Sequence, residues 1–272
     1  MYFRQFDKVP YDFNRDGVIQ QVVNIFKTAR VMPAFEDDVN TYTLYQVQNG
    51  ERPDVVSLRL YDTPDYYWTF FVLNPFLHDG LAAWPMSQEK LNEYILQHYE
   101  GTVITTNPSI SESGDIGVIL GQDDSLAGRF ELGETITGNN SGATGKLVKK
   151  NIDMNQLVLQ DVNGSFIGSS VSGPGNASES ITGGTSGDSV NTYDVYKYID
   201  APHSYYRTDD PEKRVVTPAA FISGGEPMQF LSFRTNRDYL FDSNEARSRI
   251  KIVNPKYIDK FVDEYEAIIK NV

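Results

Sequence analysis

A change of composition in the middle of the chain constrains its fold more than any other feature. Residues 103 to 191 are rich in Gly, Ser, Thr and Asn and hold two aromatic residues, Phe130 and Phe166, whereas the whole chain of 272 residues has 17 Tyr and 15 Phe. Because large rings supply much of the apolar area that a core buries, the middle and the flanks must build different cores. We predict a first region, 1–102, an inserted module, 103–191, and a last region, 192–272, that packs with the first.

The inserted module is predicted to be all-β. Gly145–Lys149 and Gln156–Gln160 read as strands joined by an Asn/Asp turn. An aromatic residue, a glycine turn and an alternating strand occur twice, in Phe130–Gly138 and in Phe166–Gly173, which indicates a weak internal repeat. The Gly/Ser-rich stretch Gly173–Ser189 predicts a flexible exit or a long loop.

The flanking regions carry helix signals, so the predicted class is α+β. Thr43–Val47 alternates like a strand, Pro53 and Thr63-Pro64 suit the first turns of two helices, and Ser87 can cap a third. Near the C-terminus, Asn254-Pro255 begins a segment with apolar residues at helical spacing. That apolar stripe either packs on its own domain or docks in part on a partner.

Charge and composition exclude several classes of function. The formal net charge is −13 and no strong basic run exists, so we expect no nucleic-acid partner. The absence of cysteine excludes disulfide scaffolds, cysteine-ligated zinc and thiol catalysis. The first residues lack the pattern of a secretion signal, and no apolar run approaches the roughly 18 residues that span a bilayer, so we expect no membrane partner.

One segment weakly matches a metal-binding loop. Asp12, Asn14 and Asp16, followed by Gly17, copy the start of a calcium loop, but Val23 stands where the closing bidentate Glu is needed. An Asx-type turn is the default interpretation. The histidines are far apart and no nucleophile elbow is present, so we predict no enzyme, no catalytic residue and no cofactor.

A stretch in the first region resembles a LysM module. Tyr45-Gln-Val-Gln-Asn-Gly50-Glu-Arg-Pro53 looks like its opening, Asn74 follows the second predicted helix, and Ala82–Pro85 stands where a closing strand is expected. The resemblance implies a βααβ unit at about residues 42–86. Glu51-Arg52-Pro53 departs from the glycan-binding pattern, so sugar binding is not expected.

The flanks of this stretch resemble the baseplate wedge subunit of T4-like contractile-tailed phages. The similarity covers about residues 1–102 and 192–272 and includes Asn236–Leu240 and Asn244–Phe261. The inserted Gly-Glu-Thr-Ile-Thr-Gly pattern resembles inserts in tail proteins of marine cyanophages.

The resemblance implies a structural subunit of the virion tail baseplate, assembled in the host cytoplasm, that binds other wedge proteins in a large hetero-oligomer and helps to link wedges around the hub. It implies docking through the LysM-like unit and the segment from Arg247 to Tyr265. The alternative is a LysM-type protein that binds peptidoglycan. The interface residues that we predict are Tyr45, Gly50, Arg52, Trp68, Asn74, Trp84, Arg247, Arg249, Tyr257, Phe261 and Tyr265.

Overall fold

The computed structural model describes residues 6–24, 41–106, 126, 128–168, 179–210, 214–215 and 230–271. Its strands are β1 (Lys8–Tyr11), β2 (Gln20–Val23), β3 (Tyr42–Gln46), β4 (Thr102–Thr106), β5 (Thr135–Gly138), β6 (Thr144–Asn151), β7 (Gln156–Asn163), β8 (Ser180–Gly183), β9 (Ser189–Lys197), β10 (Pro202–Arg207), β11 (Arg214–Val215), β12 (Leu231–Thr235) and β13 (Arg249–Val253). Its α-helices are α1 (Pro53–Tyr61), α2 (Trp68–Leu73), α3 (Gln88–His98), α4 (Asn236–Ser248) and α5 (Ile258–Asn271).

The chain divides into two compact units. Unit 1 consists of residues 1–91 and 243–272, and unit 2 consists of residues 92–242. The mixture of helices and strands, with a small β-barrel in unit 2, confirms the predicted mixed class.

The helices of unit 1 begin where the sequence predicted. Pro53 is the first residue of α1, where its missing N–H costs no hydrogen bond. The Thr63 hydroxyl accepts a hydrogen bond from the Asp65 amide at 3.3 Å and opens a 3₁₀ turn, Pro64–Tyr66, ahead of α2. The Ser87 hydroxyl accepts from the Lys90 amide at 3.2 Å and caps α3.

Aromatic side chains form the centre of the unit 1 core. The predicted C-terminal helix is confirmed as α5, and its apolar stripe, including Phe261 and Tyr265, is buried within unit 1. The Trp68 ring centroid lies 5.0 Å from that of Tyr265 and 6.5 Å from that of Phe261. The stripe therefore packs on its own unit, which decides between the two interpretations that the sequence left open.

The strand beside β3 comes from the far end of the chain. β13 pairs antiparallel with β3, with Ile250 opposite Tyr45 and Lys251 opposite Leu44. The closing strand expected at Ala82–Pro85 is wrong: a 3₁₀ turn at Gly80–Ala82 leads to Trp84, which is buried. The physical reason is that β13 occupies the place beside β3, so this segment instead contributes an aromatic ring to the core.

The Asn74 side chain holds β13 in place. Its Nδ2 donates to the carbonyl of Lys251 at 2.8 Å, and its Oδ1 accepts from the amide of Lys251 at 2.8 Å. A third hydrogen bond, 2.7 Å long, runs from Nδ2 to the carbonyl of Phe70 in α2. Asn74 is 2% exposed, so its amide takes the role of a neighbouring strand at the edge of β13 and satisfies polar groups that water cannot reach.

Asn74→Ala is expected to destabilise unit 1 by about 2–4 kcal/mol, because three buried hydrogen bonds are lost and the Lys251 amide and carbonyl are left without partners. The chain has two tryptophans, Trp68 and Trp84, and both are buried in this unit, so denaturant unfolding followed by tryptophan fluorescence reports on it selectively. Asn49→Ala, which removes one exposed hydrogen bond to the Gln88 amide, is the matched control and should cost less than about 1 kcal/mol. Equal unfolding midpoints for the two variants would contradict the role of Asn74.

Unit 2 contains a closed six-stranded barrel. The strand order is β4-β7-β6-β5-β8-β9, and β9 closes the ring by pairing with β4. The two predicted strands correspond to β6 and β7. Phe130 and Phe166, the aromatic residues of the module, are buried in its core among aliphatic side chains.

Two buried glutamates stabilise the barrel, because each binds the turn that follows the strand next to the other glutamate. The Glu134 carboxylate accepts hydrogen bonds from the amides of Thr185 and Ser186, each at 2.9 Å, in the turn after β8. The Glu179 carboxylate accepts from the amides of Asn140 at 3.3 Å and Ser141 at 2.9 Å, in the turn after β5. The serine hydroxyls of both turns, from Ser186 and Ser141, also donate to these carboxylates. The glutamate before β5 thus caps the turn after β8, and the glutamate before β8 caps the turn after β5.

These contacts define a structural repeat that differs from the one predicted from the sequence. The structural repeat is Glu-Thr-Ile-Thr-Gly-Asn-Asn-Ser-Gly, residues 134–142, and Glu-Ser-Ile-Thr-Gly-Gly-Thr-Ser-Gly, residues 179–187. β5 and β8 pair antiparallel with Thr137 opposite Thr182, so the two copies are related by a local two-fold axis. The predicted repeat instead took Phe130 and Phe166 as its reference points, and residues 169–173 of its second copy lie outside the described residues.

The loop expected at Gly173–Ser189 is also wrong over its described part. β8 runs from Ser180 to Gly183, and the Glu179 side chain is fully buried. The hydrogen bonds that Glu179 accepts from the opposite turn order a stretch whose composition alone resembles a linker. Residues 173–178 lie outside the described residues.

Glu134→Gln is expected to destabilise the barrel by about 1–3 kcal/mol at pH 7, because an amide replaces a charged acceptor and its NH₂ group faces N–H donors. Burial alone raises the pKa of Glu134, but the hydrogen bonds from Ser186, Thr185 and Glu131 outweigh it and hold the pKa below its usual value. A lowered folded-state pKa stabilises the barrel above the unfolded pKa of about 4.5, and this stabilisation is lost as the pH falls further.

The measurement is thermal unfolding followed by circular dichroism at pH 7 and near pH 4, with tryptophan fluorescence separating unit 1. The wild type should lose more stability on acidification than Glu134→Gln does. Glu131→Gln, in the same turn with an exposed side chain, is the control and should behave like the wild type. The same pH dependence in Glu134→Gln and the wild type would show that the carboxylate does not stabilise the barrel.

Candidate docking surfaces

The outer face of the β3–β13 sheet combines positive charge with an exposed apolar side chain. Along β13 the buried Ile250 and Ile252 alternate with the exposed Arg249 and Lys251. Leu44, which lies opposite Lys251, is 67% exposed. Among the described residues no carboxylate lies within salt-bridge distance of Arg249 or Lys251. We call Leu44, Arg249 and Lys251 the sheet face.

Two contacts position side chains at or beside this face. The Lys251 ammonium lies 5.0 Å from the ring centroid of Tyr42, a cation–π distance that positions it beside Leu44. Gln46, opposite Arg249, is anchored by a hydrogen bond from its Nε2 to Glu245 at 3.2 Å. The Lys251 ammonium and the Gln46 amide are thus positioned by contacts within unit 1.

On the inner side of β3, Tyr45 belongs to a polar network around Glu51. The Tyr45 hydroxyl donates to the Glu51 carboxylate at 2.9 Å, and Arg59 forms an ion pair with the same carboxylate. Burial, followed by the hydrogen bond to Glu51, raises the pKa of Tyr45. The amide of Gln48 also donates to Glu51, at 2.8 Å, and so fixes the turn that contains Gly50, whose φ of +77° favours glycine. The departure from the LysM pattern at Glu51 therefore serves the structure of this turn.

A groove of about 540 Å³ opens next to this turn. It is lined by Arg52, Pro53, Asp54, Tyr67, Leu81, Trp84 and Lys90. The buried Trp84 donates from Nε1 to the carbonyl of Glu51 at 2.7 Å, which fixes its ring at the base of the groove. Leu81 is 68% exposed, and Arg52 and Lys90 are exposed cations. This groove, like the sheet face, lies entirely within unit 1.

The Asp12 loop joins β1 to β2 and is an Asx-type turn. Asp12 accepts from the Gly17 amide at 2.8 Å and the Asp16 amide at 3.2 Å, while Asp16 accepts from the Val18 amide at 2.9 Å. The bond from Gly17 is the main reason why the pKa of Asp12 lies below its usual value. Among the described residues no group of three or more His, Asp or Glu side chains is placed to hold a metal ion.

Calcium titrated into the full chain is expected to give no heat beyond dilution. Both carboxylate oxygens of Asp12 already accept backbone hydrogen bonds, and Val23 offers no ligand at the closing position. Isothermal titration calorimetry of chelator-treated protein measures this, with Asp12→Ala as the comparison. A saturable heat that disappears in Asp12→Ala would show that the loop binds the ion.

The predicted interface residues fall into two groups. Gly50, Arg52, Arg247 and Arg249 are exposed, and Tyr45 and Tyr257 are partly buried, so a partner can reach them. The others are buried within unit 1 and can act in an interface only through the residues that they hold in place: Trp68, Asn74, Trp84, Phe261 and Tyr265.

Sequence reasoning missed other parts of these surfaces. Lys251 was findable, because the alternation Arg249-Ile-Lys251-Ile predicts both cations on one face of a strand. Leu44 carries no such signal, since its exposure depends on which strand pairs with β3. Lys90 and Leu81 meet in one groove only because the segment before α3 folds back toward the turn that contains Gly50.

Comparison with known families supplies the context for these surfaces. Residues 1–113 match the model of a phage family described as base plate wedge protein 53, which confirms the predicted resemblance over this part of the chain. Members are structural proteins of the virion tail baseplate, and this is the location that the match implies for the chain. No curated protein matches significantly. Within the described residues, no helix is both long and apolar enough to cross a membrane.

Proposed function

We propose that this chain, residues 1–113 of which match the baseplate wedge family, docks on other baseplate proteins through the sheet face of unit 1 and so helps to join neighbouring wedges around the hub. The observation that carries the proposal is an exposed leucine, Leu44, that lies opposite Lys251 on the same sheet face as Arg249, two cations without anionic partners among the described residues. The family match supports a baseplate role, and the sheet face supplies a surface for it.

The chemistry of the face determines the kind of partner. The chain has a net charge of −13, so a cationic patch on it is set apart from the surrounding surface. A partner surface that places carboxylates opposite Arg249 and Lys251 and an apolar pocket over Leu44 would bury the leucine and pair both charges. Apolar burial supplies most of the binding free energy at such a centre, and the charges chiefly select the partner and its orientation.

We further propose that β3, α1, α2 and β13 form a LysM-like βααβ unit whose last strand is supplied by the C-terminal segment. The order of strand, helix and helix in residues 42–73 and the antiparallel pairing of β13 with β3 support this interpretation. The unit would serve as a docking scaffold, because its rigid sheet carries the proposed face and its polar turn is occupied by the Glu51 network.

The variants Leu44→Asp and Arg249→Glu/Lys251→Glu test the proposal. Each is expected to reduce co-purification with the other baseplate proteins about tenfold or more when the proteins are produced together. The substituted side chains are exposed, so the denaturant midpoint from tryptophan fluorescence should stay close to that of the wild type.

Matched controls change the same chemistry on unit 2. Leu132→Asp alters a leucine that is 64% exposed, and Lys146→Glu reverses an exposed cation on the barrel. Both controls should assemble normally. Normal assembly of both sheet-face variants, with folding intact, would overturn the sheet face as the docking surface.

A further inference from the structure

We propose that the groove beside the Gly50 turn binds an extended acidic segment of another baseplate protein, with an apolar side chain of the segment resting on Trp84 and Leu81 and its carboxylates on Arg52 and Lys90. This inference rests on the proposed function, because it names a second contact of the same assembly. It concerns different residues from the sheet face and can fail separately.

The shape of the groove suits a peptide side chain and its neighbours. A volume of about 540 Å³ is in the range of sites that enclose small ligands or a few residues. The Trp84 Nε1 is already bonded to the carbonyl of Glu51 at 2.7 Å, so the indole meets a ligand with its carbon atoms alone. Leu81, at 68% exposure, adds an apolar wall that loses contact with water when the groove is filled.

The charges of the groove favour an acidic occupant. No carboxylate of the described residues lies within salt-bridge distance of Lys90. Arg52 uses Nε and Nη2 to bind Asp54, both at 3.1 Å, which orients the guanidinium and leaves its Nη1 available to a ligand. Lys90 and the unpaired Nη1 of Arg52 therefore complement carboxylates of an occupant.

A neutral glycan fits these observations less well than an acidic peptide does. A sugar ring could stack on the exposed part of an aromatic residue, but it would leave Lys90 without a counter-charge among the described residues. The one carboxylate of the lining, Asp54, is engaged by Arg52 rather than turned toward a ligand hydroxyl. The groove therefore has an apolar base and positive rim groups, which is the pattern expected for an acidic and apolar peptide.

The experiment uses the full chain and overlapping synthetic peptides that cover the other baseplate proteins of the same phage, with soluble peptidoglycan fragments as the second probe. Peptides that bind should contain Asp or Glu next to an aromatic or large aliphatic residue, and their affinity should fall as salt is added. Arg52→Glu/Lys90→Glu should weaken that binding about tenfold or more, and Leu81→Asp should weaken it as well.

Lys146→Glu/Lys197→Glu is the matched control, because it reverses two exposed cations of unit 2 outside both proposed surfaces, and it should bind the peptides like the wild type. Failure of the wild type to bind any acidic peptide, or equal binding by Arg52→Glu/Lys90→Glu, would overturn the inference. If the wild type binds peptidoglycan fragments and Leu81→Asp does not, the ligand of the groove is a glycan rather than a peptide. Assembly that fails in the sheet-face variants but proceeds in the groove variants would refute the groove while leaving the proposed function intact.

Discussion

The paired hydrogen bonds between the Asn74 side chain and the Lys251 backbone are the interaction on which the rest of unit 1 depends. They join two parts of the chain that are 177 positions apart and fix the edge of β13. Once β13 is held, Ile250 and Ile252 enter the core and Arg249 and Lys251 face outward, because neighbouring residues in a strand point to opposite sides. The core and the sheet face are therefore two results of one register.

The same dependence explains why the aromatic residues of unit 1 lie inside it. Trp68 and Tyr265, from helices that are distant in sequence, come within 5.0 Å between ring centroids only if the C-terminal segment returns to the N-terminal one. Five residues that the sequence marked as interface candidates are thus buried and support the proposed docking surface from within. The side chains that a partner can touch are fewer and mostly charged or aliphatic.

Local sequence signals predicted many of the helices and strands, but they did not predict which distant segments pair with one another. Pro53, Thr63 and Ser87 mark helix starts because capping needs a few neighbouring residues alone. The strand predicted at Ala82–Pro85 shows where local signals fail. The segment that pairs with β3 is selected by contacts across the whole chain, whereas the prediction placed the partner strand next to the helices in sequence. The barrel repeat was missed for a related reason, since a glutamate in a Gly/Ser-rich stretch looks solvated until the opposite turn is known. The sequence predicted where the candidate surfaces lie, around Gly50 and Arg249, but it did not predict which side chains form them.

The closure of the barrel brings its first and last strands side by side. Thr102 on β4 lies opposite Lys197 on β9, so the chain enters and leaves the barrel at nearly the same point. Neighbouring strands are roughly 5 Å apart, a gap that one short connection can span. A module with this arrangement can be gained or lost by a lineage as a single cassette, without altering the strand and helix order of the remaining chain. The fold in this way lets the insert change independently of the surface proposed for docking on unit 1.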